Sequence, residues 1–357
     1  MTDTIMVTGA AGFIGSHFAR AMLDQARPVL SVDKMSYAAN LGRLDGYLDR
    51  SDHTFVACSV EDTDRIYELL TAHRPVAIVH FAAESHVDRS IDGPRDFLSN
   101  NTCGTFELLT AALGYWQDSL DPTEQDRFRF LHISTDEVYG AAGTDAFTEN
   151  SPFRPNSPYA ASKAGAEGFA RSFQVTYGLP VVIARPSNTY GPGQFPEKLI
   201  PLMIAKALDG APLPIYGDGL QQREWLFIDD HVAALEAILA SGVPGQAYNL
   251  AGYEERQNIQ VVEGLCAHLD RLRPRSDGRS YLDQKSHVED RPGHDRRYAL
   301  NGALAQHDLS WQARVSFDDG LAQTVAWYLD HEDWWRAILE SRYDGHRIGT
   351  GKSRNGG

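Results

Sequence analysis

A short apolar run, Ile5-Met6-Val7-Thr8, opens directly into Gly9-Ala10-Ala11-Gly12-Phe13-Ile14-Gly15 and then into a helical pattern from about Phe13 to Gln25. Glycines at this spacing permit a tight turn, close approach of a pyrophosphate to backbone N–H groups, and close packing of helix on strand. The helix also directs its positive end at the turn. A glycine triplet by itself could be a tight turn and nothing more. Here it lies between a strand and a helix, and the next strand pattern, Val29-Leu30-Ser31-Val32, ends on Asp33. A carboxylate at that point accepts from both adenosine ribose hydroxyls and repels a 2′-phosphate, which selects NAD over NADP. The expected fold is α/β, a Rossmann-type doubly wound parallel sheet, with NAD as cofactor.

The βα alternation continues along the chain. Asp64–His73 reads as a helix, Val76–Phe81 as a buried strand, and Asp96–Leu113 as the next helix. Phe128–Ile133 is rich in strand formers, so Ser134 to Glu137 should sit at its carboxyl end, where open α/β sheets bind ligands. Ser157-Pro158 reads as a helix start, with Ser157 as cap and Pro158 at the first helical position. Tyr159 and Lys163 then stand at i and i+4 on one helix face. An ammonium beside a phenol favours the phenolate, by about 1–3 pKa units for a close pair, so the two form a candidate base. The helix should stop at Gly178, with Leu179–Ala184 as the following strand. Beyond it the rhythm breaks. Residues 1–187, with about 225–250, should form the NAD-binding domain, and 188–224 with 251–340 a smaller C-terminal α/β substrate lobe. Helices are expected near 229–240, 258–270 and 318–330, and the glycine-rich stretch 343–357 is expected to be disordered.

Composition excludes several classes. A net charge of −15 argues against nucleic acid as a partner, which requires basic surface. No apolar run approaches the ~20 residues of a membrane span, and with no charged-then-apolar pattern at the start, no signal peptide is expected. Cys58, Cys103 and Cys266 lie far apart with no Cys-x-x-Cys, which fits a reducing cytoplasm. His80 and His86 invite a metal reading, but no third ligand has a sensible spacing, so no metal is expected.

Taken together, these residues resemble the extended short-chain dehydrogenases that act on nucleotide sugars, and within them the dTDP-glucose 4,6-dehydratases. The resemblance runs along nearly the whole chain. It is carried by Val7 to Ser16, by Ala82-Ala83-Glu84-Ser85-His86-Val87-Asp88-Arg89-Ser90, by Ser134-Thr135-Asp136-Glu137-Val138-Tyr139-Gly140, and by Tyr159 to Lys163. Further on come Pro196 to Pro201, Pro214 to Gly217, and Asp290 to Tyr298. The Thr135-Asp136-Glu137 triplet matters most, because relatives that epimerise nucleotide sugars keep the tyrosine and lysine but lack this acid–base pair.

The resemblance implies that Tyr159 takes the 4-hydroxyl proton while the 4-hydride goes to NAD. Glu137 then removes the C5 proton, Asp136 protonates the departing 6-hydroxyl, and the hydride returns to C6. Thr135 can donate to the developing C4 oxyanion. Two adjacent carboxyls supply one acid and one base if their surroundings split their pKa values. The plainer alternative is that they only cap the turn that follows.

The resemblance also implies cofactor contacts at Gly9, Gly12, Phe13, Ile14, Gly15, Asp33, Lys34 and Ser36. Further ones follow at Ser59, Val60, Phe81, Ala82, Ala83, Ser85 and Asn100, and at Tyr159, Lys163 and Thr189. Substrate contacts are implied at Ser85, Thr135, Asn188, Lys198, Leu199, Pro214, Tyr216, Arg223, Asn258, Arg291 and His294. Guanidinium forks at Arg223 and Arg291 suit a diphosphate. Four places depart from the family pattern: Ser59 replaces an aspartate, Asn100 a threonine, Thr189 the second of two asparagines, and Arg185-Pro186 smaller residues at the end of its strand. A homodimer is implied through the 96–113 and 159–177 helices. UDP-glucose 4,6-dehydration, C4 epimerisation, and a catalytically idle dinucleotide sensor stay open as alternatives.

Overall fold

A computed structural model of the protein describes residues 3–343 and 348–349. In chain order the first strands are β1 (Ile5–Thr8), β2 (Val29–Asp33), β3 (His53–Ala57), β4 (Ala77–His80), β5 (Arg129–Ile133) and β6 (Val181–Pro186). Three more strands follow, β7 (Asn188–Tyr190), β8 (Leu213–Tyr216) and β9 (Gln222–Phe227), and then β10 (Ala247–Leu250), β11 (Glu254–Gln257) and β12 (Lys285–Val288).

Seven of these strands form one sheet, in the order β3-β2-β1-β4-β5-β6-β10. Every pairing in it is parallel. Strand residues alternate faces, and both faces here are apolar. Ile5 and Val7 pack in one layer with Phe18 and Leu131, while Met6 packs in the other with Leu30 and Ile78. Burial on both sides is what helix-covered parallel sheets require. The strand order reverses between β1 and β4, which opens the crevice at their carboxyl ends where such sheets bind ligands.

The remaining strands build the smaller lobe, as a three-stranded sheet β11-β9-β7 and a two-stranded sheet β12-β8. The core layer holding Ile5 continues through Tyr190, Trp225 and Phe317 to Trp335, so one apolar core underlies both lobes. Helices Ile228–Ser241, Asn258–Leu272 and Phe317–Asp330 stand where periodicity placed them.

Two expectations need correction. The helix expected over 96–113 is broken: Pro94–Phe97 leads into a π-helical turn, Leu98–Cys103, before Gly104–Asp118. Within that turn, Asn101 reaches out of the helix. Its Oδ1 accepts from Glu84 N at 2.7 Å, and its amide donates to Glu84 O at 2.9 Å. That long-range pairing widens the helix, and local periodicity carries no sign of it. Tyr343, expected to begin a disordered tail, is buried with Phe195 and Ile338. The rest of that expectation, 344–347 and 350–357, lies outside the described residues. Among the described residues, no helix is long and apolar enough to cross a membrane.

Candidate active site

Past Ile133 the chain leaves β5 through Ser134 and Thr135 into a short helical turn, Asp136–Tyr139. Thr135, rather than the carboxyls after it, caps that turn, accepting from Glu137 N at 3.3 Å. Its hydroxyl donates to Asp136 Oδ1 at 3.2 Å. Gly140 ends the turn at φ 78°, and a Cβ there would lie 2.2 Å from Arg154 O, so the exit requires glycine. Asp136 is buried, and its Oδ2 has no hydrogen-bond partner among the described residues. Burial first, and Glu137 next, push the Asp136 carboxyl up to about 7. Burial raises Glu137 as well, but three cations, Arg291, Arg223 and Lys198, oppose that rise. Adjacent in sequence, the two carboxyls therefore sit in different fields.

Helix Pro158–Tyr177 begins as expected, with Ser157 Oγ accepting from Ala160 N at 3.0 Å, and ends at Gly178 in the left-handed region. Tyr159 and Lys163 share its buried face. The expectation that Lys163 brings the phenol toward neutrality is not met. The ammonium donates to Ile133 O at 2.6 Å, and burial lowers Lys163 to about 8. Tyr159 is raised well above the ordinary phenol value by burial, then by Glu137 and Asp136, against a hydrogen bond with Thr135. Packing of the helix on β5 offers the lysine a backbone carbonyl that helical spacing alone cannot reveal.

Two clefts meet at this point. The first, of about 310 Å³, runs from the glycine turn past Asp33 to Tyr159 and Thr189. All the expected cofactor residues line it, as do Thr135, Asp136 and Glu137. The second, of about 210 Å³, lies between the lobes and is lined by every expected substrate residue except Thr135. Glu137, Ser85, Asn188 and Lys198 line both.

The glycine turn has the tight geometry a dinucleotide needs. A Cβ on Gly9 would stand 2.7 Å from Ala82 N, and one on Gly15 would stand 2.3 Å from Gly9 O. The buried Asp33 carboxylate is fixed at the end of β2, accepting from Ala11 N at 3.0 Å and Met35 N at 2.8 Å. Lys34 donates to Asn100 Oδ1 across this end of the cleft. Thr189, in place of an asparagine, pairs with His231 Nδ1 at 2.9 Å.

Arg223 and Arg291 both reach the second cleft. Arg223 is buried, donates to Asp295 O at 2.9 Å, and lies over the Tyr298 ring. Arg291 Nη1 is paired with Asp88 at 2.9 Å, while its Nε has no partner among the described residues. Sequence reasoning missed Asp88 as a site residue, although it lies within the quoted 82–90 loop. It also missed Glu197, which takes Arg89 Nε and the Tyr37 hydroxyl, both at 2.8 Å, and lines both clefts. Arg43 gave no signal at all. Its guanidinium is buried beside the first cleft and donates to the carbonyls of Gly193, Ala11 and Ala38. His86, weighed above as a metal ligand, caps helix Val87–Asp92 instead.

A dinucleotide crevice joined to a second cleft bearing two arginines, with a Tyr-x-x-x-Lys helix and a carboxyl pair at the junction, defines a short-chain dehydrogenase of the extended type. The family model described as GDP-mannose 4,6 dehydratase matches residues 6–324. A dTDP-glucose 4,6-dehydratase of Xanthomonas campestris pv. campestris is 50% identical over 348 residues, covering 97% of this chain and 99% of the relative. Among solved structures, the Streptomyces venezuelae dTDP-glucose 4,6-dehydratase with NAD bound aligns at a TM-score of 0.85 and 41% identity, covering 94% of this chain and 99% of that one. A UDP-glucuronic acid 4-epimerase of Bacillus cereus shares the fold at a TM-score of 0.80 but only 28% identity, covering 92% of this chain and 99% of that one. The chain belongs to the dTDP-glucose 4,6-dehydratases.

Proposed function

We propose that this protein converts dTDP-glucose into dTDP-4-keto-6-deoxyglucose, with NAD held in the first cleft and the nucleotide sugar in the second. The observation that carries this reading is the position of Glu137, which faces both clefts and whose rise three cations oppose, beside the Asp136 carboxyl that burial pushes up to about 7. Gly9, Gly12, Phe13, Ile14 and Gly15 would hold the pyrophosphate, Asp33 the adenosine ribose, and Thr189 would stand on the nicotinamide side. Bound NAD supplies an oxidant for C4, a cationic ring whose charge favours the Tyr159 phenolate, and the reducing equivalents that return to C6.

Tyr159 takes the proton of the 4-hydroxyl. Oxidation at C4 makes the C5 proton acidic, because the electron pair left behind delocalises into the new carbonyl. Glu137 removes that proton, and Asp136 delivers its own to the 6-hydroxyl, which leaves as water. An epimerase has no use for this pair. Mass spectrometry of products from dTDP-glucose and UDP-glucose side by side tests the reading: a mass lowered by one water from the dTDP sugar is expected, and an unchanged mass from both would overturn it.

The raised Asp136 carboxyl gives a pH signature. It keeps its proton below about 7 and loses it above. Product formation is expected to fall as pH rises through that value. Reduced nicotinamide should accumulate on the enzyme meanwhile, since oxidation at C4 does not need Asp136. The window closes above about 8, where Lys163 loses its ammonium. A steady-state fraction of reduced nicotinamide that stays flat between these two values would remove Asp136 as the acid.

A homodimer and a cytoplasmic location belong to the same reading. Helices Gly104–Asp118 and Pro158–Tyr177 present an apolar face in which the exposed Phe106 and Phe169 meet at 5.3 Å, with Tyr177 further along. Contiguous exposed aromatic surface of this kind marks an interface. Phe106→Asp is expected to convert the sedimenting species from dimer to monomer, and a wild-type monomer would exclude the pairing. Cys58, Cys103 and Cys266 are all free thiols, in keeping with a reducing compartment.

A further inference from the structure

Arg185, near the end of β6, lines neither cleft, yet its guanidinium is buried with all three nitrogens hydrogen-bonded. Nε donates to both carboxylate oxygens of Glu167, at 3.0 and 3.2 Å, and Nη2 adds a further bond to the same carboxylate. Nη1 donates to the Tyr139 hydroxyl and to Glu149 O, the latter at 3.0 Å. The Tyr139 hydroxyl in turn donates to Asn249 Oδ1 at 2.8 Å. The guanidinium also faces the rings of Tyr139 and Phe153, at 5.1 and 5.0 Å.

Two of these partners belong to the elements that carry the reacting groups. Glu167 lies one turn beyond Lys163 on helix Pro158–Tyr177, and Tyr139 closes the turn that begins at Asp136. We propose that Arg185 is a positioning residue that sets the Asp136–Glu137 turn against the Tyr159–Lys163 helix, so that a sugar oxidised at C4 lies within reach of both carboxyls. A planar guanidinium suits this task because its donors point in fixed directions toward two partners at once. An ammonium is a compact point charge on a flexible stem, without the fixed fork that aims separate donors at Glu167 and Tyr139. The inference rests on the elimination roles given to Asp136 and Glu137.

The test compares Arg185→Lys and Tyr139→Phe with the wild type, each loaded with NAD. Tyr139→Phe keeps the Arg185–Glu167 ion pair and the aromatic packing, so it remains informative if Arg185→Lys does not fold. Misplacing a reacting group by about 1 Å costs on the order of 10²-fold. Both variants are expected to oxidise C4 at near wild-type rate in a single turnover. They should form product roughly 10- to 100-fold more slowly, hold a larger steady-state fraction of reduced nicotinamide, and show a KM no higher than the wild type. A Tyr139→Phe protein with a lowered melting temperature but an unchanged balance of oxidation and elimination would overturn the proposal, since a merely structural role gives that result. Wild-type protein that releases no 4-keto-6-deoxy product would instead remove the elimination reading itself.

Discussion

Glu137→Gln should still oxidise dTDP-glucose at C4 but lose overall turnover by about 10²–10⁴-fold, the usual worth of general acid–base help. Glutamine keeps the shape and hydrogen bonding of the side chain but cannot accept the C5 proton. Asp136→Asn should behave alike for the complementary reason, since an amide cannot deliver a proton to the 6-hydroxyl. Both variants keep Tyr159, Lys163 and the glycine turn, so mixing with substrate should give a stoichiometric rise in reduced nicotinamide absorbance that decays slowly. Isotopes separate this outcome from a general loss of activity. Solvent deuterium should enter at C5 in the wild type and stay out in Glu137→Gln. Full turnover in Glu137→Gln would leave Tyr159 and Lys163 as parts of some other oxidoreductase.

Arg223→Ala should weaken substrate binding by about 2–5 kcal/mol, the typical cost of truncating one partner of a buried, hydrogen-bonded charge pair. That corresponds to roughly 30-fold to several thousand-fold in affinity. Arg223 is the cleaner choice of the two arginines. Its own bonds run to backbone carbonyls, whereas removing Arg291 would also strand the Asp88 carboxylate. A second effect should accompany the first. Arg223 is among the cations that oppose the rise of the Glu137 carboxyl, so its loss should move the acidic limb of kcat to higher pH. An Arg223→Ala enzyme with unchanged KM would take this side chain out of the substrate cleft.

Much of the site was legible because it is built from short-range rules. The strand–glycine–helix start, the Ser157 cap with Pro158, the i,i+4 pairing of Tyr159 with Lys163, and the Gly178 stop all depend on neighbours within a turn. Each stands where spacing placed it. Periodicity of apolar residues likewise set the sheet and its order of helices, since a strand buried on both faces reads as an uninterrupted apolar run. The residues that line the two clefts were legible through resemblance, motif by motif, and no local rule would have assembled them.

What only the folded chain decided is the electrostatic character of those residues. The cations that oppose the rise at Glu137 come from Lys198, Arg223 and Arg291, on three separate segments of the smaller lobe. The rise of Asp136 is chiefly a matter of burial, which depends on everything packed around the turn. Lys163 reaches a carbonyl of β5 because helix and sheet come into contact, and Asn101 breaks its helix because Glu84 lies beside it. Arg43, Asp88 and Arg185 gained their partners the same way, across separations of tens to hundreds of residues. Hydrogen bonds and charges act through space, so the sequence by itself determined which groups the chain brings to its cleft, and packing alone decided the field in which each one works.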